Sequence, residues 1–114
     1  MSRRPVMVFD GDCGFCRLWI ERWRAATGER VDYKPYQSEA ARHPEVPRER
    51  FATAVHLIEP DGRVSSGAQA VLRTLSYVPG ASWLPAVYAL PGFSPVAEAA
   101  YRFVAARRVV FSRL

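Results

Sequence analysis

The chain has 114 residues, the length of one domain, and its 49% hydrophobic and 24% charged residues exclude wholesale disorder. Sixteen Lys and Arg against 11 Asp and Glu leave a net charge of +5, with Lys34 the only lysine. Arginine is a good partner for phosphate, but no base-reading or aromatic-stacking motif accompanies it, so nucleic acid is not an expected partner. There are two cysteines, Cys13 and Cys16. They are too few and too close to staple a secreted domain, and they supply only half of a structural zinc site.

The organisation expected is a single domain over residues 1–114, with residues 1–5 flexible and residues 80–114 forming appended helices. The apolar run after the basic N-terminus covers only residues 6–9, too short for a signal peptide. Residues 64–97 carry one charge, Arg73, yet Pro79, Pro85, Pro91 and Pro95 break that stretch before it could span a membrane. A cytoplasmic protein is expected.

The β-branched and aromatic run at residues 6–9, closed by Asp10-Gly11, predicts a short buried strand. From Cys13 the period becomes helical, with Cys16, Trp19, Ile20 and Trp23 on one face and Gly28 as the C-terminal cap. Trp19 and Trp23 are therefore expected in the core. Residues 31–36 alternate as a second strand, and residues 38–43 predict a short helix before Pro44. A third strand is expected at residues 54–58, then a turn at Pro60-Asp61-Gly62 and a short fourth strand near Arg63-Val64. Ser66 is expected to cap a helix whose Ala68, Val71, Leu72 and Leu75 share a face. Further helices are predicted over residues 83–90 and 95–111. The order describes a small α/β sheet with an appended helical layer.

The spacing of the cysteines is informative, since two placed at random would stand three apart about one time in sixty. Their position is more so, because a strand ends and a helix begins there. Unpaired N–H groups and the positive end of the helix dipole favour an anion at Cys13, which predicts Cys13 as the nucleophile. Cys16, one turn on, is predicted as the more buried thiol that resolves a mixed disulfide. Asp10 and Asp12 oppose the dipole with negative charge. The expected roles are capping of the helix by Asp12 and ordering of the Gly11 turn by Asp10, with proton transfer as the sharper alternative. His43 and His56 are not spaced as zinc ligands, and no metal or other cofactor is expected.

Phe9-Asp10-Gly11-Asp12-Cys13-Gly14-Phe15-Cys16-Arg17 resembles the signature of the DCC family, named for its Asp-Cys-x-x-Cys motif. Pro35-Tyr36-Gln37-Ser38, Ser66-Gly67-Ala68-Gln69-Ala70 and Tyr101-Arg102-Phe103-Val104-Ala105 are similar to later segments of the same family, so the resemblance runs from about Val6 to Arg108. It implies a thioredoxin-like fold, a mixed sheet of about four strands with flanking helices and a C-terminal helical extension. It also implies thiol-disulfide oxidoreductase activity. Two departures stand out. Arg107-Arg108-Val109 occupies the place of the Asn-Arg-Tyr that members often carry. Arg50-Phe51-Ala52-Thr53 precedes Val55, with Pro47 the nearest proline upstream, where thioredoxins and glutaredoxins have a cis-proline that pairs with substrate backbone.

The site expected from these readings has Cys13 and Cys16 as catalytic residues, supported by Asp10, Asp12, Gly14, Phe15, Gln37, Ser38, Ser66 and Gly67. Gln37 and Ser38 could bond substrate or the Asp10 loop, with Ser38 first of all a helix cap. Phe15 is expected to be exposed and to form a docking surface. The expected partners are a protein or small-molecule disulfide and an external thiol reductant. The competing class is a non-enzymatic thioredoxin-like module for interaction, redox sensing or metal binding. The basic last helix, with Arg102, Arg107, Arg108 and Arg113 beside Tyr101, Phe103, Val104, Val109, Val110 and Phe111, could add peripheral membrane contact.

Overall fold

The structure is a computed structural model and describes residues 4–107. Its strands are β1 (Val6–Phe9), β2 (Asp32–Pro35), β3 (His56–Ile58) and β4 (Val64–Ser66). Its helices are α1 (Gly14–Thr27), α2 (Tyr36–Glu39), α3 (Arg48–Thr53), α4 (Gly67–Leu75), α5 (Leu84–Tyr88) and α6 (Phe93–Ala106), with 3₁₀ turns at Gly28–Arg30 and Ala40–Arg42. The sequence pattern had not marked α3, whose six residues carry a single buried apolar side chain, Phe51. The continuation of the last helix to residue 111, with Arg108, Val109, Val110, Phe111 and Arg113, lies outside the described residues, as do residues 1–3 of the expected flexible leader. Pro5 is buried, and its carbonyl accepts the Asp32 N–H at 2.9 Å.

The four strands form one mixed sheet in the order β2-β1-β3-β4. β1 runs parallel to β2, pairing Phe9 with Pro35, and antiparallel to β3, pairing Val8 with His56. β3 and β4 are antiparallel, with His56 opposite Ser66. Strand alternation divides the core between the two faces. Met7, Phe9, Tyr33, Val55 and Leu57 meet Ile20 of α1 and Ala70 of α4 on one side. Val8 meets Phe51 of α3 and Ala40 on the other. This is the layered arrangement of a thioredoxin-like fold, with α5 and α6 added against α4.

The pairing directions gather four chain segments on one rim of the sheet. β1 and β2 both end there, β3 begins there and β4 ends there. The Asp10–Cys13 loop, Gln37, the Ala54-Val55 entry to β3 and the Ser66-Gly67 entry to α4 are consequently neighbours.

The opposite end is held by Glu59, which is buried and takes two hydrogen bonds from the Arg73 guanidinium and one from the Tyr77 hydroxyl at 3.0 Å. The Arg73 bonds hold the Glu59 carboxyl below its ordinary range, while burial and the carboxylate push the Tyr77 hydroxyl up to about 12. Among the described residues, no helix is long and apolar enough to cross a membrane. On α6, Val96, Phe103 and Val104 remain exposed, and the Arg107 guanidinium stacks on the Phe103 ring at 3.7 Å.

His56 gives the fold a pH dependence. Its ring is buried edge-on to Phe51, with centroids 4.9 Å apart, and Nδ1–H donates to the Ala54 carbonyl at 3.0 Å. Burial lowers its pKa below 6.5, against the Ala54 bond and with help from the Arg50 charge. A depressed folded value means that the unfolded chain protonates first. The His56 contribution is thus present above about pH 6.5 and lost as pH falls through the folded value. Urea denaturation should show stability decreasing from about pH 7 to about pH 5, with a shallower slope in His56→Gln. Identical slopes would contradict this assignment.

Candidate functional site

α1 begins at the rim directly after β1. The Cys13 N–H donates to the Asp10 carbonyl at 3.2 Å, closing a turn that delays the helix by one residue. Cys13 itself is consequently the N-cap, with extended backbone, and its Sγ accepts the Cys16 N–H at 3.2 Å. This corrects the capping role expected of Asp12. A sulfur in that position meets a backbone donor at the positive end of a 14-residue helix. No acidic residue lies in the first turn of α1 to add a competing cap.

The acidic loop before Cys13 is tied down from the adjacent strand. Extending the Phe9–Pro35 register by two residues brings Gly11 beside Gln37. The Gly11 N–H donates to Gln37 Oε1 at 3.1 Å. Gln37 Nε2 in turn donates to Asp10 Oδ1 at 2.9 Å and to Asp12 Oδ2 at 3.3 Å. Asp10 Oδ1 also accepts the Asp12 N–H at 3.0 Å, the turn-ordering role expected of Asp10. Gly11 has to be glycine because the loop passes close to β2, where a Cβ would lie 2.8 Å from the Pro35 Cβ. Ser38 does not cap: Pro35 holds the N-cap of α2, and the Ser38 hydroxyl donates back to the Pro35 carbonyl at 3.3 Å.

Cys13 and Cys16 are both half-buried and neither is in a disulfide. The expected contrast between an exposed and a buried thiol is therefore absent. Cys16 differs in its surroundings, since it lines an apolar cavity with Asp10, Phe15, Trp19 and Trp23. Two aromatic expectations also need correcting. Phe15 is half-buried and set edge-on to Trp19, with centroids 6.2 Å apart. Trp19 is 39% exposed because the inward stripe of α1 runs through Ile20 and Thr27, leaving Trp19 on its flank. Gly14 is the exposed first residue of the helix.

At the β4–α4 junction, Ser66 occupies the N-cap but its side chain makes no capping bond. The cap comes from Glu98, about thirty residues on, a distance no local pattern detects. Its carboxylate accepts the Ala68 N–H at 3.1 Å, the Gln69 N–H at 3.3 Å and the Tyr88 hydroxyl at 2.7 Å. Gly67 has φ +61°, and a Cβ on it would lie 2.5 Å from Glu98 Oε1, so glycine is required by both conformation and space. Nearby, the Val55 N–H donates to the Tyr101 hydroxyl at 2.9 Å. Every peptide bond among the described residues is trans. Among the same residues, no three His, Cys, Asp or Glu side chains converge to hold a metal ion.

Two substitutions test these supports. Glu98→Ala strands two backbone donors at the start of α4 and should cost about 1–3 kcal/mol in urea denaturation. Gln37→Ala removes three hydrogen bonds from the loop before Cys13 and should cost about 1–2 kcal/mol, with faster amide exchange at Gly11 and Asp12. Unchanged exchange at those two amides would remove Gln37 from its role as the clamp.

Neither curated proteins nor solved structures give a match to the chain. The family model described as DCC1-like thiol-disulfide oxidoreductase matches residues 7–114, a span that includes both cysteines, the Gln37 clamp and the Glu98 cap. This chain belongs to the DCC1-like thiol-disulfide oxidoreductase family.

Proposed function

We propose that the protein exchanges disulfides through Cys13 and Cys16, and one observation carries the reading: Cys13 Sγ caps α1 and accepts the Cys16 N–H at 3.2 Å. A thiolate is the attacking species in such exchange, and this position supplies both a donor and a favourable dipole for it. Cys13 S⁻ attacks one sulfur of the substrate disulfide. A Cys13–substrate S–S bond forms, the substrate bond breaks, and the leaving thiolate takes a proton from solvent. Cys16 then loses its proton and attacks Cys13 Sγ; the Cys13–Cys16 bond forms, the mixed disulfide breaks, and the second substrate sulfur leaves as a thiolate that takes a proton from solvent. Asp10, which lines the same cavity as Cys16, is the carboxylate we assign to accept the Cys16 proton.

The substrate gains two electrons and the protein keeps a Cys13–Cys16 disulfide. An external thiol, as a reducing cytoplasm would supply, restores the dithiol. Gln37 acts as a positioning residue here, holding the loop that presents Cys13.

A second reading, a thioredoxin-like redox-sensing module without turnover, draws on the entry to β3. Thioredoxins pair substrate backbone at this point, whereas here the Val55 N–H is engaged by Tyr101.

Oxidation of the protein should produce a mass loss of two hydrogens that dithiothreitol reverses. Reduction of insulin disulfides should fall to background in Cys13→Ser, and Cys16→Ser should accumulate a mixed disulfide with substrate. Turnover that survives Cys13→Ser would falsify the mechanism. Reversible oxidation without reduction of insulin or of any small-molecule disulfide would favour the sensing module.

A further inference from the structure

The cavity beside Cys16 has a volume of about 510 Å³, within the range of small-molecule sites. Trp19 and Trp23 of α1 form one wall, Leu72 and Leu75 of α4 the floor, and Phe93 and Val104 of α6 the far side. Its composition restricts what can enter. The chain carries 15 arginines and one lysine, yet among the described residues none lines the cavity. Among the described lining residues the one carboxylate, Asp10, stands at the cysteine end. An anionic disulfide such as oxidised glutathione would therefore find no cation and would meet like charge.

Extended peptide backbone is disfavoured for a different reason. Its N–H and C=O groups would be desolvated among apolar side chains, and the Val55 N–H at the edge is already engaged by Tyr101. A neutral apolar molecule loses little hydration on entering and covers the half-buried tryptophan surface.

We propose that this cavity binds neutral, apolar small molecules that carry a disulfide at one end, with the apolar body between α1, α4 and α6 and the sulfurs at the end lined by Cys16, one helical turn from Cys13. The inference rests on the exchange reading for its chemistry but on the cavity alone for its selectivity. The redox step is the one already written: the ligand S–S bond is cleaved to two thiols, Cys13 and Cys16 become a disulfide, and an external thiol re-reduces them.

Lipoamide and lipoate share one dithiolane and differ in a terminal charge, which makes them matched probes. Binding is read from tryptophan fluorescence in the Cys13→Ser/Cys16→Ser double variant, where no exchange occurs. Lipoamide should bind at least tenfold more tightly than lipoate or oxidised glutathione. Two variants of the α6 wall, both at exposed positions, extend the test in the intact dithiol protein. Ala100→Phe fills the cavity and should raise the KM for lipoamide at least tenfold. Val104→Arg adds a cation and should shift the preference toward lipoate. Equal binding of lipoamide and lipoate, with both wall variants behaving as the parent, would overturn the proposal even if insulin were still reduced. Preferential lipoamide binding in a protein that reduces no disulfide would uphold the cavity's selectivity and overturn the exchange reading instead.

Discussion

Gln37 bridges the ends of two parallel strands, and the presentation of Cys13 depends on that bridge. Its carboxamide accepts from the Gly11 N–H and donates to both Asp10 and Asp12. A turn holding two adjacent carboxylates would otherwise be opened by repulsion and solvation. With both carboxylates hydrogen-bonded, the loop closes through Cys13 N–H to Asp10 and the sulfur itself takes the first position of α1. The positive end of the helix and the Cys16 amide then both face the Cys13 sulfur.

A second long-range contact does the equivalent work for the other half of the rim. Glu98 reaches back from α6 to the opening amides of α4, and Tyr101, one turn later, takes the Val55 N–H. These two side chains attach the added helical layer to the sheet by satisfying backbone donors, which is stronger guidance than apolar contact alone. They also bring α6 opposite Trp19 and Trp23, and the space left between the helices is the cavity. The same contacts that complete the fold therefore shape the surroundings of Cys16.

The chain shares the mixed sheet and helix-capping cysteine of a thioredoxin-like fold but differs at the entry to β3. An alanine and a valine, with the valine amide already bonded, stand where thioredoxins have a cis-proline. The Val55 N–H is taken up within the chain, and an apolar cavity is present beside Cys16. The two features agree in directing attention to side-chain or small-molecule contacts rather than to strand-like pairing.

The local sequence was sufficient for the strand–helix junction that carries Cys13 and Cys16, for the four strands and their order along the chain, and for the long amphipathic helices. Each of these is written in nearest-neighbour terms: alternation, a 3.6-residue period, and Asp-Gly or Pro-Asp-Gly turns. The short α3 escaped because six residues with one buried Phe51 offer no period to read. The tertiary structure alone decided that Cys13 and not Asp12 caps α1, that Glu98 and not Ser66 caps α4, and that Trp19 borders a cavity where the core was expected. Local pattern shows which groups need partners. The partners themselves came from Gln37 and Glu98, 26 and 30 residues from the amides they satisfy, and only folding brings groups so far apart within hydrogen-bonding distance.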